Sequence, residues 1–429
     1  MTSYRLKTYR ATVRLLQKGA LPLFVPKERL SLADEIFSIP DHRIARAAKN
    51  RVWFHAASVG ELESLWPLIE LATQEEDDAV ILTVFSSSAF QHAKKMMLKM
   101  GSERVLFAGY SPFEGDWRAA LEKYQPRLFV TAKYEAWPEL WCALSQMKIA
   151  LAIIGAKLRP SLILAKRVVH YLGYKLPTMT LFTFSEKNIE KLKMGFPNAE
   201  IVSVSDPRWD RAFARQDVQE QNRQTRIEEI KKHYAFLPRP WGFFGSVWGS
   251  DLREWIYHGM VSFEGTPILV PHKTDLKTLK EVEVLIRELG YSPIRSTDQT
   301  GVVPAGRIAL IIDEMGFLAE LYAEADWAYV GGGFGSGVHS TIEPAVYGIP
   351  IFCGPAKSEK FDEIAHLESL GQLVLLKDSI HWEVMKEDLK AEKLSLLKDS
   401  KQLWMKAASA HRGTSQMIWN HLVRKPESG

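Results

Sequence analysis

Glu61 stands at the end of HAASVGE (residues 55–61), where the apolar run 51–57 gives way to a helical pattern. A partly desolvated carboxylate at the carboxyl end of a strand can take a proton from an attacking hydroxyl, general-base chemistry worth roughly 10²–10⁴-fold. The same stretch has a plainer reading. Ser58, Val59, Gly60 and Glu61 are spaced as a capping box, with Ser58 capping the helix and Glu61 reaching back to its amide. Against that, Gly60 is a poor residue for an ordinary helix start. Lys133 and Glu135 follow the apolar run 127–132 in AKYEAWPELW (132–141), as cleft residues or as a surface ion pair, and Trp137-Pro138 opens the next helix. Arg208, in VSVSDPRWD (202–210), offers a fixed fork of donors. ILVPHK (268–273) ends in Pro271, His272 and Lys273, a set suited to phosphate. After the run 326–331 come Gly331, Gly332, Gly333, Gly335 and Gly337, which let the backbone turn and aim N–H groups at an anion. A helix is expected from near Ser340, with Glu343 in its first turn; the alternative is a glycine turn that only closes an α/β unit.

These residues sit at the ends of short apolar runs that alternate with longer amphipathic segments. The runs are 51–57, 79–85, 104–108, 127–132, 149–155, 179–184 and 200–204, then 241–246, 267–270, 307–313, 326–331, 349–352 and 372–376. Near-continuous apolar strands separated by helices predict parallel sheets covered on both faces, an α/β protein. Two series predict two doubly wound, Rossmann-like domains, with ligands at the strand ends facing the cleft between them. The expected division is a basic amphipathic segment over 1–50, a first domain over 51–215 and a linker over 216–240. A second domain follows over 241–405, then a C-terminal helix and tail over 406–429. The linker is placed by its polar composition and by Pro238 and Pro240.

A chain of 429 residues is comfortable for two cores. Its 46% hydrophobic and 25% charged residues are those of a globular protein, and no run is long enough to span a bilayer. A formal charge of +4 is too small to imply nucleic acid. The charge is concentrated early: Arg5, Lys7, Arg10, Arg14, Lys18, Lys27 and Arg29 are opposed before Ser31 only by Glu28, with leucines between them. That segment suits either an anionic membrane interface or a helix packed on the body. Cys142 and Cys353 are far apart in apolar surroundings, as reduced core thiols are. There is no zinc spacing, no HExxH and no Asp-x-Asp pair, so no metal is expected.

HAASVGE, AKYEAWPEL, GSVWGSD (245–251), VPHK and above all the stretch from Asp313 to Pro355 resemble the 3-deoxy-D-manno-octulosonic acid (Kdo) transferases of lipopolysaccharide assembly, from about Val52 to the C-terminal HRGTSQMIWNHL. The resemblance implies a GT-B fold and inverting transfer of Kdo from CMP-Kdo to a lipid A precursor, at the cytoplasmic face of the bacterial inner membrane, with no cofactor. It implies that Glu61 is the general base and that Arg208, with Lys133 beside it, stabilises charge in the transition state. Pro271 and His272, then Met315, Gly316 and Phe317, then Ser340, Thr341, Ile342 and Glu343 would hold CMP. Ser58, Gly60, Glu135, Ser246, Lys273 and His339 are further cleft candidates. The chain departs from the family pattern in four places. Lys133 replaces a glutamate. Pro271-His272-Lys273-Thr274 stands for Pro-Arg-His-Pro, and Gly337-Val338-His339-Ser340 for Gly-Gly-His-Asn. A basic amphipathic start replaces a hydrophobic anchor, which implies peripheral membrane association. The competing expectations are a GT-B enzyme with a UDP-sugar donor and a catalytically weakened relative that binds nucleotide or lipid.

Overall fold

The computed structural model describes residues 4–13, 43–100, 103–114, 116–133, 135–221, 226–258, 265–298, 305–314, 316 and 318–423. The chain divides into two compact units, one made of Met1–Arg208 with Gly413–Gly429 and the other of Trp209–Arg412. Each apolar run becomes a strand to within two residues at either end.

The first unit holds β1 (Asn50–Ala56), β2 (Asp78–Val84), β3 (Val105–Tyr110), β4 (Leu128–Ala132), β5 (Ala150–Ile154), β6 (Met179–Thr183) and β7 (Glu200–Ser203). They form one parallel sheet in the order β3-β2-β1-β4-β5-β6-β7. β2 is buried at every position, as a strand covered on both faces must be. The order reverses between β1 and β4, and in such sheets the crevice at that point is where ligands bind. Trp53, Trp117 and Phe129 pack beneath it, with Trp53 centroids 6.0 and 5.6 Å from the other two rings. Burying each such side chain contributes about 1.5–3 kcal/mol, against about 0–1 for an exposed ion pair. The aromatic floor therefore fixes this region.

Helix Val59–Gln74 leaves β1 at that point, capped by Ser58, whose backbone is extended and whose hydroxyl accepts from the Glu61 N–H at 3.4 Å. Helix Thr414–Val423 returns to clamp it: Ile418, Trp419 and Leu422 join Leu62, Leu65 and Ile69 in one cluster, and the Trp419 indole donates to Glu75 at 3.0 Å. Residues 4–13 form a helix on the same unit. Its Leu6 is buried, and Arg5 donates to the Tyr171 carbonyl at 3.0 Å.

The second unit holds β8 (Trp241–Val247), β9 (Thr266–Pro271), β10 (Ser292–Arg295), β11 (Ile308–Ile311), β12 (Trp327–Val330), β13 (Ile351–Cys353) and β14 (Leu373–Leu375). These too are parallel, in the order β10-β11-β9-β8-β12-β13-β14, reversing between β8 and β12. β10 does not show in the sequence pattern because it is a half-buried edge strand containing Pro293 and Arg295. Residues 216–240, expected as a linker, include helix Arg226–His233. Its Ile227 and Ile230, followed by Tyr234 and Leu237, enter the core of this unit. Two isoleucines three apart make one narrow apolar face, which a composition average hides.

Candidate functional site

In the first unit the loops after β1 and β4 bring Glu61, Lys133 and Glu135 together, and the loop after β7 adds Arg208. Glu61 is 7% exposed, and one carboxylate oxygen accepts from the Ala57 N–H at 2.7 Å. Its carboxylate thus turns back over the helix start as a capping box does, taking the Ala57 N–H most closely and that of Ser58 as well. Burial, and then the charge of Glu135, push its pKa up to about 7, partly offset by the Ala57 N–H and by Lys133. A β-carbon on Gly60 would meet nothing within 4 Å, so the backbone beside Glu61 is bare.

Burial alone would raise the Glu135 carboxyl as well. The hydrogen bond from His55, with a further one from the Trp137 indole, instead holds it below the usual range. The His55 Nε2 lies 3.3 Å and the Trp137 Nε1 2.6 Å from Glu135 Oε2. Lys133 follows β4 in the left-handed region, at φ 57°, which is uncommon for a side chain with a β-carbon and places it in the crevice's rim of loops. Arg208 is not left to itself: its Nε and Nη2 donate to Asp206 Oδ2 at 2.9 and 2.7 Å, and its N–H to Oδ1 at 2.9 Å. Burial opposes ionisation of Asp206, but Arg208 and then Lys133 hold its carboxyl low. Lys133 therefore stands electrostatically between the Glu61 and Asp206 carboxylates.

In the second unit the equivalent edge is built differently. Ser246 forms a bulge at the end of β8, at φ 52°, where the register with β9 shifts. Gly331 passes so close to it that a β-carbon would lie 2.4 Å from the Ser246 carbonyl oxygen. The glycine run was expected to turn its N–H groups toward an anion, but several are already engaged. Gly332 N–H donates to Asp251 Oδ2 at 2.9 Å and Phe334 N–H to Oδ1 at 3.4 Å. Gly335 and Gly337 N–H groups donate to the Gly332 carbonyl. Asp251, fully buried, also accepts from the Trp248 N–H at 2.9 Å and the Tyr329 hydroxyl at 3.0 Å. It is the strut of the loop.

His272 and His339 come together across this edge, and Trp248 joins them. Their centroids are 4.6 Å apart for the two imidazoles and 4.4 Å for Trp248 and His272, nearly parallel in both cases. The Trp248 indole donates to His339 Nε2 at 3.1 Å. Burial, and then His272, lower the His339 pKa to about 4; burial, and then Lys273, lower that of His272. Lys273 Nζ lies 5.8 Å from the Trp248 ring centre. Pro271 ends β9, buried, and Gly316 turns at φ 110°. Met315 and Phe317 lie outside the described residues. Beyond Ser340 the helix is one turn, Ile342–Ala345. Thr341 before it is fully buried, with no hydrogen-bond partner for its hydroxyl among the described residues. Glu343 accepts from Arg215 at 2.7 Å.

His55, Asp206, Trp248 and Asp251 are the polar and aromatic groups that sequence reasoning passed over. All four lie inside or beside the quoted motifs, but their partners are distant in sequence or, for Asp206, masked by the more conspicuous arginine. Among the described residues no group of three or more His, Cys, Asp or Glu is arranged to hold a metal ion, and no helix is long and apolar enough to cross a membrane.

Two tandem Rossmann-like sheets, each reversing its strand order beside its first strand, define the GT-B fold. The chain is similar in structure to the UDP-GlcNAc 2-epimerase of Neisseria meningitidis, with a TM-score of 0.56 over 87% of this chain and 100% of that one, at 11% identity. Residues 27–210 match the family described as 3-deoxy-D-manno-octulosonic-acid transferase (kdotransferase). The 3-deoxy-D-manno-octulosonic acid transferase of Chlamydia muridarum is 24% identical over 373 residues, 85% of this chain and 81% of that protein. That of Aquifex aeolicus is 24% identical over 366 residues, 83% and 86% of the two chains. Over most of its length the chain is therefore similar to Kdo transferases.

Proposed function

We propose that the protein transfers Kdo from CMP-Kdo, with inversion, to a lipid A precursor in lipopolysaccharide assembly. Glu61 takes the proton of the acceptor hydroxyl as its oxygen attacks the anomeric carbon. The bond from that carbon to the phosphate oxygen breaks, and its electron pair leaves with CMP. Lys133 and Arg208 supply positive charge near the reacting centre, Arg208 through a guanidinium oriented by Asp206. Pro271, His272, Met315, Gly316, Phe317, Ser340, Thr341, Ile342 and Glu343 hold the nucleotide; the unsatisfied Thr341 hydroxyl is a group that a ligand would complete. The leaving group departs as a stabilised anion, so the scheme uses no metal. The observation that carries this reading is the placement of Glu61 at the reversal of the first sheet with a pKa of about 7, matched to proton abstraction at neutral pH.

The acceptor is a lipid, and the first unit carries a surface suited to an anionic bilayer. Exposed Tyr4, Leu164, Tyr171 and Met194 are interspersed with exposed Lys7, Arg167, Lys175 and Lys191. Arg5 links helix 4–13 to helix Pro160–Tyr171 through the Tyr171 carbonyl, and Lys166 links the latter to Gly195 at 2.6 Å. Apolar side chains among cations favour peripheral attachment at the cytoplasmic face. The basic residues after Arg10 that prompted the same expectation, Arg14 to Arg29, lie outside the described residues.

One experiment tests the whole scheme: CMP-Kdo and lipid A precursor in anionic vesicles, with a chelator, read by mass spectrometry and by co-sedimentation of the protein. The expected result is a lipid heavier by one or more Kdo, with protein on anionic but not zwitterionic vesicles. A product only from a UDP-sugar, or none from any donor although CMP raises the melting temperature, overturns it.

A further inference from the structure

His55 is a buried titratable group that the scheme above does not use. It lies inside β1, with no exposed side-chain surface, its ring edge-on to Trp117 at 5.4 Å and beside Phe129 at 6.3 Å. A merely packed imidazole would leave its nitrogens poorly served there, yet both have partners. Nδ1 lies 3.1 Å from Thr83 Oγ1 on β2, and Nε2 lies 3.3 Å from Glu135 Oε2 after β4. Thr83 Oγ1 in turn accepts from the Trp53 indole at 2.8 Å. The threonine hydroxyl has one hydrogen to give. The alternative acceptor, the Phe54 carbonyl, is farther away at 3.5 Å. The hydrogen therefore goes to His55 Nδ1, which leaves Nε2–H to donate to Glu135. A directed chain results: Trp53 to Thr83 to His55 to Glu135, with Trp137 donating to the same Glu135 oxygen at 2.6 Å.

Every donor in this chain points the same way, toward Glu135. It spans β1, β2 and the loop after β4, so the sheet register itself holds it: His55 pairs with Thr83 across β1 and β2 and with Thr131 across β1 and β4. Aligned donors polarise one another. We propose that His55 is a positioning residue: with Thr83 and Trp53 it holds Glu135 as an oriented, ionised carboxylate beside Glu61 and so sets how basic Glu61 is. This rests on Glu61 being the base of the transfer reaction. The charged group facing the pair is Lys133 at the end of β4, which also faces Asp206, itself bound to Arg208 after β7. Without the chain Glu135 would be a buried carboxylate lacking the His55 donor. It would hold its proton longer, and Glu61 would lose the like charge that keeps its proton affinity high.

The test is a carboxyl ¹³C NMR titration of Glu61 and Glu135 in the full chain, unmutated and with Thr83→Val, Thr83→Ser or His55→Gln. In the unmutated protein Glu135 ionises well before Glu61, in two separate steps, and ¹⁵N shifts show His55 protonated on Nε2. T83V and H55Q draw the two steps together, Glu135 later and Glu61 earlier; T83S, which keeps the hydroxyl, restores the separation. The acid limb of kcat/KM moves to lower pH in T83V, while donor KM stays within twofold. Superimposable titrations in all variants, or His55 protonated on Nδ1, overturn the proposal; the tautomer is read on the unmutated chain even if H55Q does not fold. A titration that shifts as expected in a protein with no transfer activity would leave the positioning role standing and remove the functional reading instead.

Discussion

At the reversal of the first sheet Glu61 accepts from the Ala57 amide and faces a second carboxylate, and its proton affinity is raised to neutrality. At the reversal of the second sheet Asp251, more deeply buried, accepts four hydrogen bonds from Trp248, Gly332, Phe334 and Tyr329. Both are acids in the first turn of a helix that follows the first strand of a Rossmann-like sheet. Burial raises both carboxyls above their ordinary range; the topology is shared, but at Asp251 four donors already occupy both oxygens. A carboxylate saturated by backbone and hydroxyl donors is a strut that shapes a loop. One left with a like-charged neighbour and few donors is available for a proton. The histidines of the second unit follow the same logic from the other side: stacked and desolvated, they stay neutral and offer a flat, polar surface rather than a reactive base.

The contrast can be broken at three places. Glu61→Gln lowers kcat by roughly 10²–10⁴-fold, while CMP binding by isothermal titration stays within twofold. The same variant has a stability signature. Because the native proton affinity of Glu61 is raised from 4.5 to about 7, its contribution is fully present below the lower value and is lost as pH rises through the upper one. Gln removes that slope, worth at most about 3 kcal/mol, in denaturant titrations at pH 5 and 8. Asp251→Ala leaves four donors without their acceptor and destabilises the second unit by on the order of 3 kcal/mol. CMP affinity falls with it, and the pH profile of transfer keeps its shape. Gly60→Ala is the smallest change. Open space at its β-carbon predicts a gain of about 0.5–1 kcal/mol in helix stability. If the acceptor passes over this bare backbone, kcat/KM falls as the melting temperature rises; unchanged kcat/KM separates the acceptor path from the helix start.

The strands were legible because covered parallel strands are written as short continuous apolar runs, and β10 was lost because an edge strand with a proline is not. Helix Arg226–His233 was lost for a related reason, since two isoleucines do not raise the average of a charged segment. Motif spacing placed Glu61, Lys133, Glu135 and Arg208 at strand ends, and the sheet order then brought them together. What sequence could not supply was satisfaction: which carboxylate is saturated, which arginine is bound by its neighbour, and which glycine amides are engaged. Those depend on contacts such as Asp251 to Gly332 or His55 to Glu135, 81 and 80 residues apart. The one pair close in sequence, Asp206 and Arg208, shows that proximity alone does not reveal orientation.

The most direct test of the central claim is the pH dependence of kcat/KM for Kdo transfer by the unmutated protein between pH 5 and 9. An acid limb of unit slope with its midpoint near 7, set by Glu61, is expected. A rate already at its plateau at pH 5, as an ordinary exposed carboxylate would give, contradicts it.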